Sequence, residues 1–302
     1  MQAAERAGIL AAVASSALGG MAAAVTRFMI GATDPVMLAV FRFGLGFLFL
    51  LPVALALRVR WPRGRDWLGV AALGTMFYGV FFVVYGESLT YTTAARGSLA
   101  VSTLPILTMI VAALLGREQL AVRKTLGVLV AMGGVLIALA AGLNEAPPEA
   151  WRGDLIMIAG MLSMALYNVL SRPFMARSNP LGYATAGMAF GSGFNVLLAW
   201  QGGGFEAVQS FGTAQWVGAL YLGALAGGLG FYLWVYALEH ASPTRVANTI
   251  TVSPIAAALL AAVLVGEPIG ISLLIGVAAV GAGIWIASTE RGDSLDQVKR
   301  ER

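Results

Sequence analysis

The chain has 302 residues, of which 59% are hydrophobic and only 11% charged, with a mean hydropathy of +0.81. A soluble domain carries about 25% charged residues, so the composition excludes a water-soluble fold and describes an all-α integral membrane protein. The net charge of +4 comes from bases scattered over short loops without interleaved aromatics, which argues against nucleic acid as a partner, and the absence of cysteine removes any disulfide framework or thiolate metal site.

A spanning helix needs about 20 mostly apolar residues. Stretches of that kind are predicted at 8–30, 35–57, 66–86, 93–115, 122–142, 154–171, 182–200, 214–238, 243–265 and 269–288. The first is too long for the roughly 7–15-residue apolar region of a secretory signal, so it reads as a spanning helix. The second carries Arg42 eight residues in, about 12 Å by helical rise. Charge at that depth either serves function or snorkels to the headgroups. A break at Trp61-Pro62-Arg63-Gly64-Arg65 follows. The third span sets Tyr78, Phe82 and Tyr85 on one face. They form either the wall of a pocket with hydroxyl donors or ordinary packing.

The fourth span contains Pro105 beside Ser102 and Thr103. A mid-span proline frees a backbone carbonyl, which lipid tolerates only where protein or a cavity meets it. The fifth is rich in small residues, Gly127, Ala131 and Gly134, a spacing suited to close helix contact. After a break with Pro147-Pro148, Asn168 falls in the sixth span and Asn195 in the seventh. The eighth presents Tyr232 and Tyr236, with His240 a turn beyond; the ninth holds Asn248 and Pro254; the tenth holds Gly276, Ala279 and Gly283. Each intramembrane amide is either interhelical glue or a ligand group.

Cytoplasmic loops collect Lys and Arg. With the N-terminus inside, the inner segments hold Arg6, Arg58, Arg60, Arg63, Arg65, Arg117, Arg123, Lys124, Arg172, Arg177, Arg245, Arg291, Lys299, Arg300 and Arg302, which are 15 of the 19 bases. Both termini are therefore expected in the cytoplasm, with an even number of spans.

A shift of 149 residues lays Arg96 on Arg245, Pro105 on Pro254, Glu118 on Glu267, Gly127 on Gly276 and Gly134 on Gly283. The predicted organisation is a first half at 1–143 (helices 1–5), a linker at 144–153, a second half at 154–289 (helices 6–10) and a cytoplasmic tail at 290–302. Five spans per half is an odd number, so the halves run oppositely. That is an inverted-topology repeat, an arrangement common in secondary transporters.

Catalytic signals are absent: one histidine, no cysteine, and all 15 acidic residues in loops or at span ends. Without a midplane carboxylate, an intramembrane proton relay is not expected. Glu118 and Glu267 are expected to stabilise the starts of helices 5 and 10 through the helix dipole. No enzyme activity, cofactor or metal is predicted.

Several short motifs resemble the drug/metabolite transporter superfamily with two tandem EamA-type halves: Phe41-Arg42-Phe43, Leu89-Thr90-Tyr91-Thr92-Thr93-Ala94, Pro105 with Gly116-Arg117-Glu118, and Pro254 with Gly266-Glu267. The sequence looks closest to bacterial amino-acid and metabolite exporters, including the aromatic amino-acid exporter group. That resemblance implies a central cavity lined by helices 1, 3, 4, 6, 8 and 9. The expected function is export of amino acids or related small metabolites across the bacterial inner membrane by alternating access. Export of drugs or other metabolites is the alternative, and a channel or receptor a more distant one. Expected cavity residues are Tyr78, Phe82, Tyr85, Ser102, Asn168, Tyr232, Tyr236 and Asn248, with helix breaks at Pro105 and Pro254 and an intramembrane charge at Arg42. The partners are a small-molecule substrate and the lipid bilayer.

Overall fold

The computed structural model describes residues 2–30, 32–92, 100–139, 148–256 and 271–288, and all regular secondary structure among them is helical. In chain order the helices are α1 (Gln2–Ile30), α2 (Pro35–Ala56), α3 (Asp66–Tyr91), α4 (Leu104–Leu114, with a helical lead-in at 100–101), α5 (Val122–Leu139), α6 (Ala150–Leu170, followed by Arg172–Arg177), α7 (Pro180–Gln201), α8 (Thr213–His240), α9 (Pro243–Asn248, continuing to 256) and α10 (Ile271–Ser288). The expected roles of Arg96, Gly266 and Glu267, the outer part of span nine and the tail lie outside the described residues.

Capping chemistry sets several starts. Asp34 accepts from the Met37 amide at 2.9 Å and Asn179 from the Leu181 amide at 2.9 Å, each just before a proline at the first turn. A side-chain acceptor supplies orphan N–H groups there, and proline gives up none that the helix needs.

Four of the described helices, Pro35–Ala56, Asp66–Tyr91, Ala150–Arg177 and Thr213–His240, are long and apolar enough to cross a membrane. Large apolar side chains also face outward around the molecule: Leu68 is 75% exposed, Trp200 74%, Leu114 81% and Ile271 76%. Apolar exposure on that scale identifies hydrocarbon, not water, as the surrounding medium.

Glycines bring the helices together, because no side chain intervenes. A Cβ on Gly127 of α5 would lie 2.7 Å from the Gly283 carbonyl of α10, and one on Gly134 would lie 2.9 Å from the Gly276 carbonyl. The two helices are thus antiparallel, and the small-residue stripes meet within one chain, between the halves. The same device joins α3 to α7, where a Cβ on Gly74 would fall 2.6 Å from the Gly187 carbonyl.

Among the described residues, three helices contain π-helical turns: Val40–Leu45 in α2, Thr75–Phe81 in α3 and Tyr221–Leu229 in α8. A π turn leaves backbone groups without their regular partner and shifts the phase of everything after it. In α3 the gap is met from the neighbouring helix: Asn195 of α7 donates through Nδ2 to the Tyr78 carbonyl at 3.0 Å. The amide expected as glue or ligand is therefore glue, repairing an interrupted ladder.

The core is aromatic. Phe43, Phe77, Tyr78, Phe81 and Phe231 are all buried. Phe43 and Tyr78 meet edge-on at 5.1 Å, and Phe77 stacks on Tyr167 at 4.3 Å. Edge and offset geometries are those the ring quadrupole favours.

Candidate functional site

A central cavity lies among α1, α2, α3, α4, α6, α8 and α9, with a volume of about 90 Å³. One ordered water needs roughly 10–15 Å³ of such space, so the room suits several waters or a small metabolite. The α1 side is lined by small residues, Ser15, Ser16, Gly19 and Gly20, and the aromatic walls are Phe81, Phe82 and Tyr85 from α3 and Phe231 and Trp234 from α8.

Local chemistry explains each wall. Gly20 lets α1 lie directly on α9, since a Cβ there would sit 2.1 Å from the Ser253 carbonyl. Ser253 Oγ donates to the Ser16 carbonyl at 2.7 Å, and Ser16 and Thr249 share a hydroxyl hydrogen bond of 3.0 Å. These bonds hold α1 against the interruption in α9, where Thr249–Thr251 forms a 3-10 turn before Pro254. Pro254 lines the cavity. Pro105 follows a turn at 102–103 that breaks α4; it is buried, and the cavity residue from α4 is Val101.

Arg42 is the only charged residue in the described lining. It sits in the π turn of α2, only 8% exposed. Its guanidinium carbon lies 4.7 Å from the Phe82 ring centroid, 5.7 Å from that of Phe231 and 6.0 Å from that of Phe43. Gly227 of α8 fixes the backbone beneath it, because a Cβ at Gly227 would fall 1.9 Å from the Arg42 carbonyl. The side chain therefore points into the protein, not toward headgroups. Its Nε has no hydrogen-bond partner among the described residues.

Among the expected cavity residues, Phe82 and Tyr85 line the cavity and six do not. Tyr78 is fully buried one layer behind the wall, where its hydroxyl shares a 2.8 Å hydrogen bond with that of Tyr167. Asn168 is also behind the wall: it accepts from Trp234 Nε1 at 2.9 Å and faces Thr108 Oγ1 at 3.5 Å. Ser102 is buried within α4. Asn248 Nδ2 lies 3.5 Å from the Gly283 carbonyl of α10. Tyr232 and Tyr236 turn to another face of α8, where Tyr236 stacks on His240 at 4.2 Å. The aromatics that α8 gives to the cavity are Phe231 and Trp234. The π turn just before them changes the phase, so a regular helical period gives no warning of this. Ser15, Ser16, Gly19 and Gly20, by contrast, form a legible small-residue face at four-residue spacing.

The end of the bundle that carries Glu5 is closed by polar contacts. Arg245 at the start of α9 pairs with Glu5 of α1 and donates through Nε to the Ala287 carbonyl of α10 at 3.1 Å. Glu118 accepts from Lys124 at 2.8 Å and from the Thr244 amide at 3.1 Å. Its expected place was the start of helix 5; it also reaches across to α9. The cavity begins at Ser15, ten residues or about 15 Å along α1 from Glu5. A second, smaller cavity lies on the other side, lined by Thr26, Pro35 and Gly86, and it shares Arg42, Phe82 and Tyr85 with the first.

The family model for the EamA-like transporter family matches this chain twice, over residues 6–140 and 151–289. An uncharacterized protein of Pseudomonas aeruginosa is 32% identical over 80% of this chain and 80% of its own length. A probable terminal-alkyne amino-acid exporter of Streptantibioticus cattleyicolor is 28% identical over 76% of each chain. An uncharacterized transporter of Archaeoglobus fulgidus is 23% identical over 90% of this chain and 95% of that one. One solved structure superposes with a TM-score of 0.74 at 21% identity, covering 94% of this chain and 97% of the other, which shows the shared fold. The double match joins the two cavity-forming halves to one family: the chain is a multi-pass membrane protein that belongs to the EamA-like transporter family.

Proposed function

We propose that this protein is a secondary transporter that exports amino acids or related small metabolites by alternating access between two inverted five-helix halves. The observation that carries the reading is the central cavity, whose walls come from both family-matched segments and which is closed at one end by the Glu5–Arg245 ion pair and the hydrogen bond from the Thr244 amide to Glu118. A pocket walled by two movable halves and closed on one side is what a carrier requires; a channel needs a continuous path.

Two features support the inverted repeat. The contact of Gly127 with Gly283 becomes that of Gly276 with Gly134 when the halves are exchanged by 149 residues. The π turns of α3 and α8 also fall at equivalent positions under that shift. Ten spans with both termini in the cytoplasm of an inner membrane complete the proposal, on the charge distribution above. The relative that is a probable exporter of an amino acid supports the substrate class.

Purified protein in liposomes, offered a panel of amino acids and structurally related metabolites, should give saturable uptake of some of them. Ion conductance in the absence of any solute would sink the carrier reading.

A further inference from the structure

Arg42 is an arginine in a costly position. It is 8% exposed, and its Nε meets no acceptor among the described residues. Among the described residues, no carboxylate lines either cavity that it borders. Burying a cation without a counter-charge is unfavourable even after the surroundings relax. The faces of Phe82, Phe231 and Phe43 surround the guanidinium and offset part of this. Aromatic faces accept no hydrogen bonds of the kind a guanidinium fork makes, however. The fork matches a carboxylate in plane and spacing.

We infer that Arg42 is the anchor for a carboxylate group of the transported solute, and that the site selects for that carboxylate and not for an amino group. This rests on the transport reading above and names the chemistry that its site recognises. Arg42 stands between the central cavity and the smaller cavity toward Thr26 and Pro35. An anion bound there is held at the junction of the two chambers, on the side away from the Glu5–Arg245 closure. The apolar rings that hold the guanidinium also leave an apolar wall for the rest of the solute.

An ammonium group finds nothing equivalent. The polar side chains on the α1 side are neutral hydroxyls, Ser15 donating to the Gly230 carbonyl at 2.7 Å and Ser253 to the Ser16 carbonyl at 2.7 Å, so they meet an ammonium only as dipoles and supply no counter-charge. Two of the cavity's ring faces that a free ammonium would seek, those of Phe82 and Phe231, are occupied by Arg42. Organic acids lacking an α-amino group therefore bind as well as the matching amino acids, while amines and amides do not.

The test is thermal unfolding of the purified full chain with matched probes on two skeletons: isovalerate, L-leucine, L-leucinamide and isopentylamine; then phenylacetate, L-phenylalanine and phenethylamine. The acids and amino acids should raise the unfolding midpoint, and the amine and amide should not. Arg42→Gln should weaken carboxylate binding by about 10- to 100-fold, the range expected for losing a charge-assisted pair. Arg42→Lys, which keeps the charge and loses the fork, should fall between. The probe series on the unaltered protein needs no variant, so a poorly folding Arg42→Gln does not remove the test. Amines that stabilise as strongly as acids, no response to any carboxylate, or an Arg42→Gln protein with undiminished carboxylate binding would each overturn the inference. Arg42-dependent binding without transport in liposomes would leave this anchor standing and remove the transport reading. Leucine transport that Arg42→Gln leaves unchanged would do the reverse.

Discussion

Trp234 Nε1 donates a 2.9 Å hydrogen bond to Asn168 Oδ1, tying the cavity-facing indole of α8 to α6. Both residues are buried, so the bond competes with no water. Asn168 never touches the cavity, yet it decides how Trp234 stands in it.

Asn168→Leu should therefore leave the indole N–H unpaired and cost about 1–3 kcal/mol of stability. Substrate KM should rise while folded protein is still recovered. Adding Trp234→Phe should restore most of the loss, since no donor then remains unsatisfied. A double-mutant cycle of unfolding midpoints measures the coupling. Strictly additive effects would contradict the assignment.

The antiparallel contact of α5 and α10 should be intolerant of size. Gly127→Leu and Gly283→Leu force side-chain atoms into the backbone of the opposite helix. Overpacking of this kind costs about 1–3 kcal/mol or more. Gly133→Leu and Gly281→Leu, on the same two helices with nothing within 4 Å, should be nearly neutral. Size-exclusion profiles and unfolding midpoints in detergent compare the four directly.

The closure at the Glu5 end should behave as a latch. Glu118→Gln weakens the contacts to Lys124 and the Thr244 amide, and Glu5→Gln removes the charge that Arg245 pairs with. The Glu5 side chain is 37% exposed, so its pair with Arg245 contributes at most about 1 kcal/mol, and the bond from the Thr244 amide to Glu118 contributes about 1.5–3 kcal/mol. These two contacts cross between the halves, so the closed arrangement is the one that loses them. The population should shift toward a form open at that end. The chain has no cysteine, so a single Ser16→Cys reports access cleanly. Labelling from the Glu5 side by a membrane-impermeant thiol reagent should be slow in the parent and several-fold faster with either substitution. Equal rates would show that these pairs do not hold the closure.

Reporter fusions at both termini should be active only as cytoplasmic fusions, since 15 of the 19 bases lie on the segments assigned inside. An alkaline phosphatase fusion active at either end would contradict the orientation.

Apolar helices and small-residue stripes suited to close contact were readable from the sequence because they depend on composition and spacing; that the stripes of α5 and α10 meet each other is seen only in the fold. The cavity face was only partly readable. Phe82 and Tyr85 fall where a regular period places them, but Tyr78 lies within the π turn Thr75–Phe81 and is buried behind the wall. On α8 the turn Tyr221–Leu229 precedes Phe231 and Trp234, and the conspicuous tyrosines, Tyr232 and Tyr236, belong to another face. A π turn leaves no mark in hydrophobic periodicity. It is set by contacts from other helices, such as Asn195 on the Tyr78 carbonyl. Arg42 carried a sequence signal of its own, as a charge at membrane depth. That it reaches inward is seen only in the fold, where it is 8% exposed among the rings of Phe82, Phe231 and Phe43.

A carrier exchanges a bound solute across the membrane. Liposomes containing the purified protein and loaded with unlabelled L-leucine or L-phenylalanine, diluted into a trace of the same labelled amino acid, measure it directly. A carrier should give a transient accumulation of label above equilibrium that fades as the internal pool is lost. Label that enters no faster than into protein-free liposomes, for every amino acid and related carboxylate tried, would contradict it.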